Sequence, residues 1–311
     1  MNYRPLGATG IQVSEIGLGA WQLVNPAWEM NDTGEALGII RQSLDSGCNF
    51  FDTAPGYGSG RSEELLGRAL ASHRDRVVLC TKFGHTADGE ENFDASAIRP
   101  ALEASLRRLR TDRIDILLLH NPPHALIDGT MPAVCNELER LKAEGKLRAH
   151  GVSLDSRHEL ELVLRHTRSD VVEALFNVFH QDPLAAFPEA RARGVGIIAK
   201  VPLDSGWLSG KYRADSRFTG IRDRWSPDVI ARRSALVGEF AALLPPGVSL
   251  AHAALQYLLA QPEISTVIPG AKNIAQARDN FAACTSTLPA EVVQSIHVLW
   301  ERNLRDAPLP W

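Results

Sequence analysis

The sequence has few cysteines and no long apolar segment. Its four cysteines, Cys48, Cys80, Cys135 and Cys284, are far apart and include no Cys-x-x-Cys pair. This spacing is not typical of a zinc site or of a disulfide framework. No apolar run reaches the roughly 20 residues that a membrane-spanning helix needs, and no apolar leader follows Met1. We therefore expect no membrane partner and a cytoplasmic location.

The sequence also lacks an excess of charge of either sign. Its 311 residues include 33 Lys and Arg and 37 Asp and Glu, so the formal net charge is −4, and no Lys/Arg run forms a basic arm. Proteins that bind nucleic acids through phosphate contacts need concentrated positive charge. We therefore expect no nucleic-acid partner. Charged residues make up 23% and apolar residues 44%, as in a globular enzyme of two ordinary domains or one large barrel.

Short apolar runs alternate with longer segments of helical period. Residues Ile116–Leu119 are all apolar, as expected for a parallel strand that is covered on both faces. Leu37, Ile40 and Leu44 share one face of a predicted helix that ends before Gly47. The pattern predicts eight strands: Glu15–Gly19, Asn49–Asp52, Val77–Lys82, Asp115–His120, Ala149–Ser153, Val171–Leu175, Gly196–Lys200 and Ile264–Ile268.

Predicted helices lie between these strands. Strands that alternate with helices favour a closed barrel or a doubly wound sheet. Trp21-Gln22-Leu23 follows the first strand, where a dinucleotide-binding doubly wound sheet has a Gly-x-Gly-x-x-Gly turn, and this favours the barrel. We predict one α/β domain over residues 1–311, a (β/α)8 TIM barrel with an N-terminal β-hairpin cap at Tyr3–Val13 and a C-terminal helical tail. The predicted helices are Thr33–Ser46, Arg61–Ala71, a segment with Leu102, Leu106 and Leu109, Thr130–Glu144, Ser156–His166, Leu184–Arg193 and Ile274–Ala283.

Three predicted strands end on ionisable residues, which are Asp52, Lys82 and His120. In a β/α barrel the carboxyl ends of the strands surround one mouth, where the chemistry of such barrels takes place. Tyr57 follows Asp52 on a glycine-rich turn that can bend sharply and bring the phenol back over the strand end. A phenol has an ordinary pKa of about 10, and a neighbouring ammonium lowers that pKa. A carboxylate can hold the ammonium, and an imidazole can orient a carbonyl oxygen toward the phenol.

A set of short motifs runs in order along the whole chain. They are Arg4-Pro5-Leu6-Gly7, Gly17-Leu18-Gly19-Ala20-Trp21, Phe51-Asp52-Thr53-Ala54, Tyr57-Gly58-Ser59-Gly60-Arg61-Ser62-Glu63, Thr81-Lys82-Phe83-Gly84, Leu118-Leu119-His120, Gly151-Val152-Ser153, Pro202-Leu203 and Pro269-Gly270. With these motifs the chain resembles the aldo-keto reductase family from end to end. The resemblance implies an NADP-dependent enzyme that reduces aldehydes or ketones, including sugars and other polar carbonyls, to alcohols. It makes Tyr57 the general acid, Lys82 the group that lowers its pKa, Asp52 the partner of Lys82, and His120 the orienting group.

The resemblance also implies a binding surface for NADP(H), with NAD(H) as the less favoured cofactor. Glu173 stands where the family usually has Gln, and Lys200 where an aromatic ring often stacks on the nicotinamide. Gln276 replaces an Arg that often grips the 2′-phosphate, which weakens the preference for NADPH because Gln carries no charge. The implied substrate contacts are Trp21, Phe83 and Asn121. The implied cofactor contacts are Trp21, Ser153, Glu173, Lys200, Pro202, Leu203, Ser205, Gly206, Leu208, Lys211, Gly270, Lys272, Gln276 and Asn280.

Two other functions stay open. Lys200 ends a predicted strand and would suit a Schiff-base lyase on the same barrel, since a buried lysine can become nucleophilic, although this leaves the other four residues unexplained. The family also includes nucleotide-binding subunits that regulate partner proteins and would turn over carbonyls weakly. No His-x-His pair or ligand cluster is present, so we expect no metal. The expected partner is a small carbonyl compound, and the sequence leaves the oligomeric state open.

Overall fold

The structure is a computed structural model that describes residues 1–25, 32–220 and 223–310, and its first element is an antiparallel hairpin. Strand β1 (Tyr3–Pro5) pairs with strand β2 (Gln12–Ser14). The hairpin contacts the barrel, because Ser265 Oγ donates a hydrogen bond to Pro5 O over 2.9 Å. This element confirms the predicted N-terminal hairpin.

Eight parallel strands follow one another around the sheet in sequence order. The sheet closes at a seam between its first and last strands. There Val267 N–H donates to Glu15 O over 3.0 Å, and Gly17 N–H donates to Val267 O over 2.9 Å. The strands form the predicted (β/α)8 barrel, and they are β3 (Leu18–Gly19), β4 (Phe50–Asp52), β5 (Val78–Phe83), β6 (Ile114–His120), β7 (Leu147–Leu154), β8 (Val171–Leu175), β9 (Gly196–Lys200) and β10 (Ile264–Val267).

Helices cover the outside of the barrel, and several begin at a side-chain cap. Asp32 accepts a hydrogen bond from Gly34 N–H at the start of the first helix, and Ser156 and Glu159 form a reciprocal capping box at the fifth. These caps satisfy amide groups that lack a partner inside the helix. The helices are α1 (Thr33–Asp45), α2 (Arg61–Leu70), α3 (Ala95–Leu109), α4 (Ala133–Ala143), α5 (Arg157–His166), α6 (Phe187–Ala192), α7 (Pro227–Ala242), α8 (Leu250–Leu259), α9 (Ile274–Ala282) and α10 (Ala290–Asn303).

Some predicted boundaries were wrong. The first strand was predicted from Glu15, but only Leu18–Gly19 joins the sheet as a strand, with an isolated bridge at Ile16. The fourth helix was predicted from Thr130, but it starts after Pro132, whose ring fixes the backbone at the helix entrance. Helices α7 and α8 were not predicted, whereas α10 confirms the C-terminal helical tail.

The interior of the barrel is packed with apolar side chains. Along β6, Ile116 and Leu118 join an inner cluster that also contains residues of the hairpin. Leu117 and Leu119 join the larger cluster of the outer layer. This alternation follows from the two-residue period of a strand, whose successive side chains point to opposite faces. Polar residues at the strand ends therefore lie above a solid floor, at the mouth of the barrel.

Candidate active site

The Lys82 ammonium is the centre of a buried cluster of charges at the barrel mouth. Its Nζ donates to Asp52 Oδ1 over 2.5 Å and to Thr53 O over 3.2 Å. It also forms an ion pair with Glu173 Oε2 over 3.2 Å. Lys82 and Glu173 are each 2% exposed, and Asp52 is 3% exposed. Buried charges are tolerated when they are paired, so the two carboxylates stabilise the charged form of Lys82.

Tyr57 lies on the turn after β4, next to this cluster. The ammonium of Lys82 is 5.5 Å from the centre of the Tyr57 ring and interacts with the hydroxyl. The Tyr57 ring meets the His120 ring edge to face, with centroids 6.0 Å apart, and its centroid is 6.3 Å from that of Trp21. The structure therefore brings together Asp52, Tyr57, Lys82 and His120, the four residues that the sequence analysis selected.

The surroundings of Tyr57 keep its phenol protonated. Burial raises its pKa above the ordinary value, Lys82 opposes this rise, and the charges of Asp52 and Glu173 add to it. For Lys82 burial alone would lower the pKa, but the two carboxylates raise it well above the ordinary value. At neutral pH the site thus combines a proton on the phenol with a positive charge that can stabilise the phenolate.

His120 is a neutral imidazole in this environment. Burial lowers its pKa to about 2, and the charges of Lys82 and Lys200 contribute. Its Nδ1 atom is buried and has no hydrogen-bond partner among the described residues. A neutral ring can donate one hydrogen bond to a ligand oxygen without adding a charge.

Because of this low pKa, we expect His120 to stay neutral across the range in which an ordinary histidine, with a pKa of about 6.5, becomes charged. The ring signals of His120 in NMR spectra of histidine-labelled protein should not shift between about pH 5 and 8. Loss of the signal in the His120→Gln variant assigns it. A titration midpoint inside this range would contradict the neutral ring.

A second polar network starts at Lys200, the last residue of β9. Lys200 Nζ donates to Ser153 Oγ over 2.8 Å and to Asn121 Oδ1 over 3.0 Å. It also pairs with Asp155 Oδ1 over 2.8 Å. Ser153 Oγ in turn donates to Glu173 Oε1 over 3.0 Å, so polar contacts run from the rim to the buried cluster. The sequence analysis missed Asp155, which directly follows β7 and had no motif to mark it.

A cavity of about 380 Å³ extends from the Tyr57 side of the mouth to the start of α9. Lys200, Lys211, Lys272 and Arg224 bring positive charge to its wall. Gly206 lies beside Lys211, and a Cβ atom on Gly206 would come within 3.2 Å of Lys211 Nζ. A cavity whose wall carries Lys200, Lys211, Lys272 and Arg224 suits an anion such as a dinucleotide, so the residues fit a nicotinamide cofactor.

Most of the predicted contact residues line this cavity, but a few do not. Ser153 is buried below it, and Leu208 is fully buried in the core. Phe83 is buried and packs on Phe93 edge to face, with centroids 6.1 Å apart, while Asn121 is turned toward Asp155 over 2.7 Å. The predicted residues that line it are Trp21, Glu173, Lys200, Pro202, Leu203, Ser205, Gly206, Lys211, Gly270, Lys272, Gln276 and Asn280. Lining residues that were missed include Gly19, Gln22, Ser209 and Arg224.

The loop that forms one wall of the cavity is anchored by a buried ion pair. Arg233 of α7 donates from Nη1 to Asp204 Oδ2, and both side chains are fully buried. Arg233 also lies 5.1 Å from the centre of the Trp225 ring and donates from Nη2 to Pro310 O over 2.7 Å. The backbone of Asp204 and Ser205 has positive φ values of 46° and 53°. Arg233 thus connects the loop to the end of the described chain.

No helix in the described ranges is both long and apolar enough to cross a membrane.

Comparison with known proteins identifies the class. The model of the aldo/keto reductase family matches residues 15–301, so the chain belongs to this family of oxidoreductases. It is 31% identical over 290 residues to L-galactose dehydrogenase of Arabidopsis thaliana, which covers 91% of this chain and 88% of that protein. A probable voltage-gated potassium channel subunit beta of Oryza sativa subsp. japonica is 30% identical over 330 residues, covering 96% of each. The holo form of an aldo-keto reductase from Bacillus halodurans has a TM-score of 0.83, with 28% identity and 96% of each chain covered.

Proposed function

We propose that this protein reduces aldehydes or ketones to alcohols with a nicotinamide cofactor and with Tyr57 as the proton donor. The observation that carries the proposal is the position of the Tyr57 phenol beside the Lys82 ammonium, in the wall of a cavity that also carries Lys200, Lys211 and Lys272. The similarity to L-galactose dehydrogenase supports sugars as candidate substrates.

The residues around Tyr57 provide what such a reduction needs. The bound cofactor would supply a hydride to the carbonyl carbon. The carbonyl oxygen would accept hydrogen bonds from the Tyr57 hydroxyl and from the neutral ring of His120, and these bonds fix its orientation. As negative charge grows on that oxygen, the Tyr57 proton moves to it and Lys82 stabilises the phenolate. Asp52 keeps the Lys82 ammonium in place through the contact of 2.5 Å.

The test is to mix the protein with NADPH or NADH and a panel of aldehydes, ketones and sugars, and to follow the loss of reduced-cofactor absorbance. We expect turnover of at least one class of carbonyl compound. Cofactor binding with negligible turnover across the panel would instead favour a regulatory subunit, a second candidate that the similarity to a potassium channel subunit beta supports. The Schiff-base alternative loses support, because Lys200 is held by Ser153, Asn121 and Asp155, which suit a charged amine.

We also propose that NADP(H) is preferred over NAD(H) through Lys272. Lys272 lines the cavity at its α9 end, and its backbone N–H donates to Gln276 Oε1 over 3.0 Å. Charge-assisted hydrogen bonds contribute about 1.5–3 kcal/mol, so Lys272→Met should weaken NADPH binding by about 10–150-fold and leave NADH binding almost unchanged. Gln276→Arg should have the opposite effect and strengthen NADPH binding.

The measurement is the dissociation constant of each cofactor for each variant. Lys211→Met is the matched control, because it removes a different cation from the wall of the same cavity, beside Gly206. It should weaken both cofactors equally if it contacts the phosphates that they share. Equal weakening of both cofactors by Lys272→Met would exclude Lys272 as the residue that reads the 2′-phosphate.

A further inference from the structure

The ring of His120 contacts two other rings edge to face. Its centroid is 6.0 Å from that of Tyr57, at an interplanar angle of 83°, and 4.9 Å from that of His85, at 84°. Edge-to-face pairs at such distances are favourable. A functional imidazole is usually oriented by a hydrogen bond on one of its nitrogens, but Nδ1 of His120 is buried and has no such partner among the described residues. Ring contacts therefore contribute most to the orientation of His120.

His85 also packs against the turn that carries Tyr57. A Cβ atom on Gly56, the residue before Tyr57, would lie 4.0 Å from the Cβ atom of His85 and 3.5 Å from Thr86 O. These are ordinary van der Waals distances, so His85 and the next residue cover the backbone at this point of the turn. Because His85 contacts both the ring of His120 and the turn of Tyr57, its side chain influences the distance between the two groups.

The segment after β5 holds His85 in place. The ring of Phe93 meets the ring of His85 edge to face, with centroids 5.8 Å apart, and Glu91 Oε1 lies 3.7 Å from His85 Nδ1. An isolated antiparallel bridge joins His85 to Glu91, and Asn92 N–H donates to Gly84 O over 2.7 Å, so the segment folds back on itself. Gly84 has a φ of 119°, and a Cβ atom there would come within 2.0 Å of the Phe93 ring. This glycine therefore lets Phe93 reach His85.

We propose that His85 is a positioning residue whose ring holds the imidazole of His120 nearly at right angles to the ring of Tyr57. The proposal rests on the proposed function, in which His120 and Tyr57 both donate hydrogen bonds to the carbonyl oxygen of the substrate. Two donors can bind one oxygen together only when their separation and orientation are fixed. His85 acts through its ring and not its charge, because burial, Lys82 and Lys200 each lower the pKa of His120 more than His85 does.

The first test needs no turnover. In NMR spectra of deuterated protein with protonated aromatic rings, the nuclear Overhauser effect between the Tyr57 and His120 rings reports their contact. His85→Ala should remove at least half of its intensity, whereas His85→Phe keeps a ring and should retain it. The contact between the buried rings of Phe176 and Phe187, with centroids 5.1 Å apart, is the control for folding and should persist in both variants. An unchanged effect between Tyr57 and His120 in His85→Ala would overturn the proposal.

The second test is kinetic. His85→Ala should lower kcat about tenfold and leave the dissociation constant of the cofactor within about twofold, because only the orientation of a donor is lost. His85→Phe should restore most of the lost rate. His124→Ala is the matched control, since the ring of His124 meets that of His158, with centroids 5.7 Å apart, and its loss should leave kcat unchanged.

The two tests separate the possible failures. If His85→Phe is as slow as His85→Ala, the nitrogen atoms of His85 are what matters, and positioning by its ring is wrong. A contact between Tyr57 and His120 that depends on His85, in a protein without carbonyl turnover, would overturn the proposed function but not the orientation of His120 by His85.

Discussion

Replacing Tyr57 with Phe is expected to lower carbonyl turnover by about 10²–10⁴-fold, the usual contribution of a positioned proton donor. The variant keeps the ring that contacts His120 and Trp21, so the walls of the site are preserved. It removes the only atom of Tyr57 that can transfer a proton. The measurement is the steady-state rate with NADPH and the best carbonyl substrate, together with the dissociation constant of the cofactor, which should change little.

Tyr3→Phe provides the matched control for this result. Tyr3 lies on the hairpin, where its hydroxyl donates to Gly47 O over 2.8 Å, and it takes no part in the barrel mouth. Removal of the Tyr3 hydroxyl should leave carbonyl turnover unchanged. If Tyr57→Phe retained full activity, the proton would have to come from another group, and the role of Tyr57 in the proposed mechanism would be wrong.

The second large effect is expected at the ion pair that anchors the cavity loop. Asp204→Asn should reduce the free energy of unfolding by about 3–5 kcal/mol, because it leaves the charge of Arg233 buried without a counter-charge. Asparagine tolerates the positive φ of 46° at this position, so the backbone conformation is not the cause of the loss. Cofactor affinity should fall as well, since the loop forms part of the cavity wall. Urea unfolding and cofactor titration measure the two effects.

A double-mutant cycle distinguishes the lost pair from other damage. Arg233→Met alone should also destabilise the protein, and the double variant should be more stable than the sum of the single changes predicts. The exposed pair Glu301–Arg305 on and after α10 is the control, and its disruption should cost about 0.5 kcal/mol or less. Additive losses at Asp204 and Arg233 would show that the two charges are not coupled.

Much of the fold could be predicted because the apolar runs carry a local signal. The boundaries of β8 and β9 agree with those predicted, since both strands are almost continuously apolar and are buried on both faces. Helix α7 was missed because it follows a long irregular segment, and its start depends on the Ser226 cap and on Pro227. Strand β3 was predicted too long, because Glu15 and Gly17 bond to Val267 only around an isolated bridge at Ile16, and the regular strand is limited to Leu18–Gly19.

The residues of the candidate site could be predicted where they stand at the carboxyl end of a predicted strand. Asp52, Lys82 and His120 were found because each stands at or near the end of a strand. The contact between Lys82 and Glu173 could not be predicted, because it depends on the register of neighbouring strands. The register pairs His120 with Ser153 and Ser153 with Glu173, which places Glu173 next to the cluster. The Asp204–Arg233 pair likewise joins a loop to a helix that had no predicted boundary.

The cavity lies across the seam between the first and last strands, so a bound ligand can affect the stability of the barrel as well as its chemistry. Gly19 and Trp21 line the cavity on one side of the seam, and Ile268 and Gly270 line it on the other. A molecule that contacts both groups of residues would hold the first and last strands of the sheet together. Because β3 contributes only two residues, the amides of Gly17 and Val267 are natural places for local opening and hydrogen exchange. Ligand binding at this site should therefore lower the rate of proteolysis of the protein, and the effect should increase with ligand concentration.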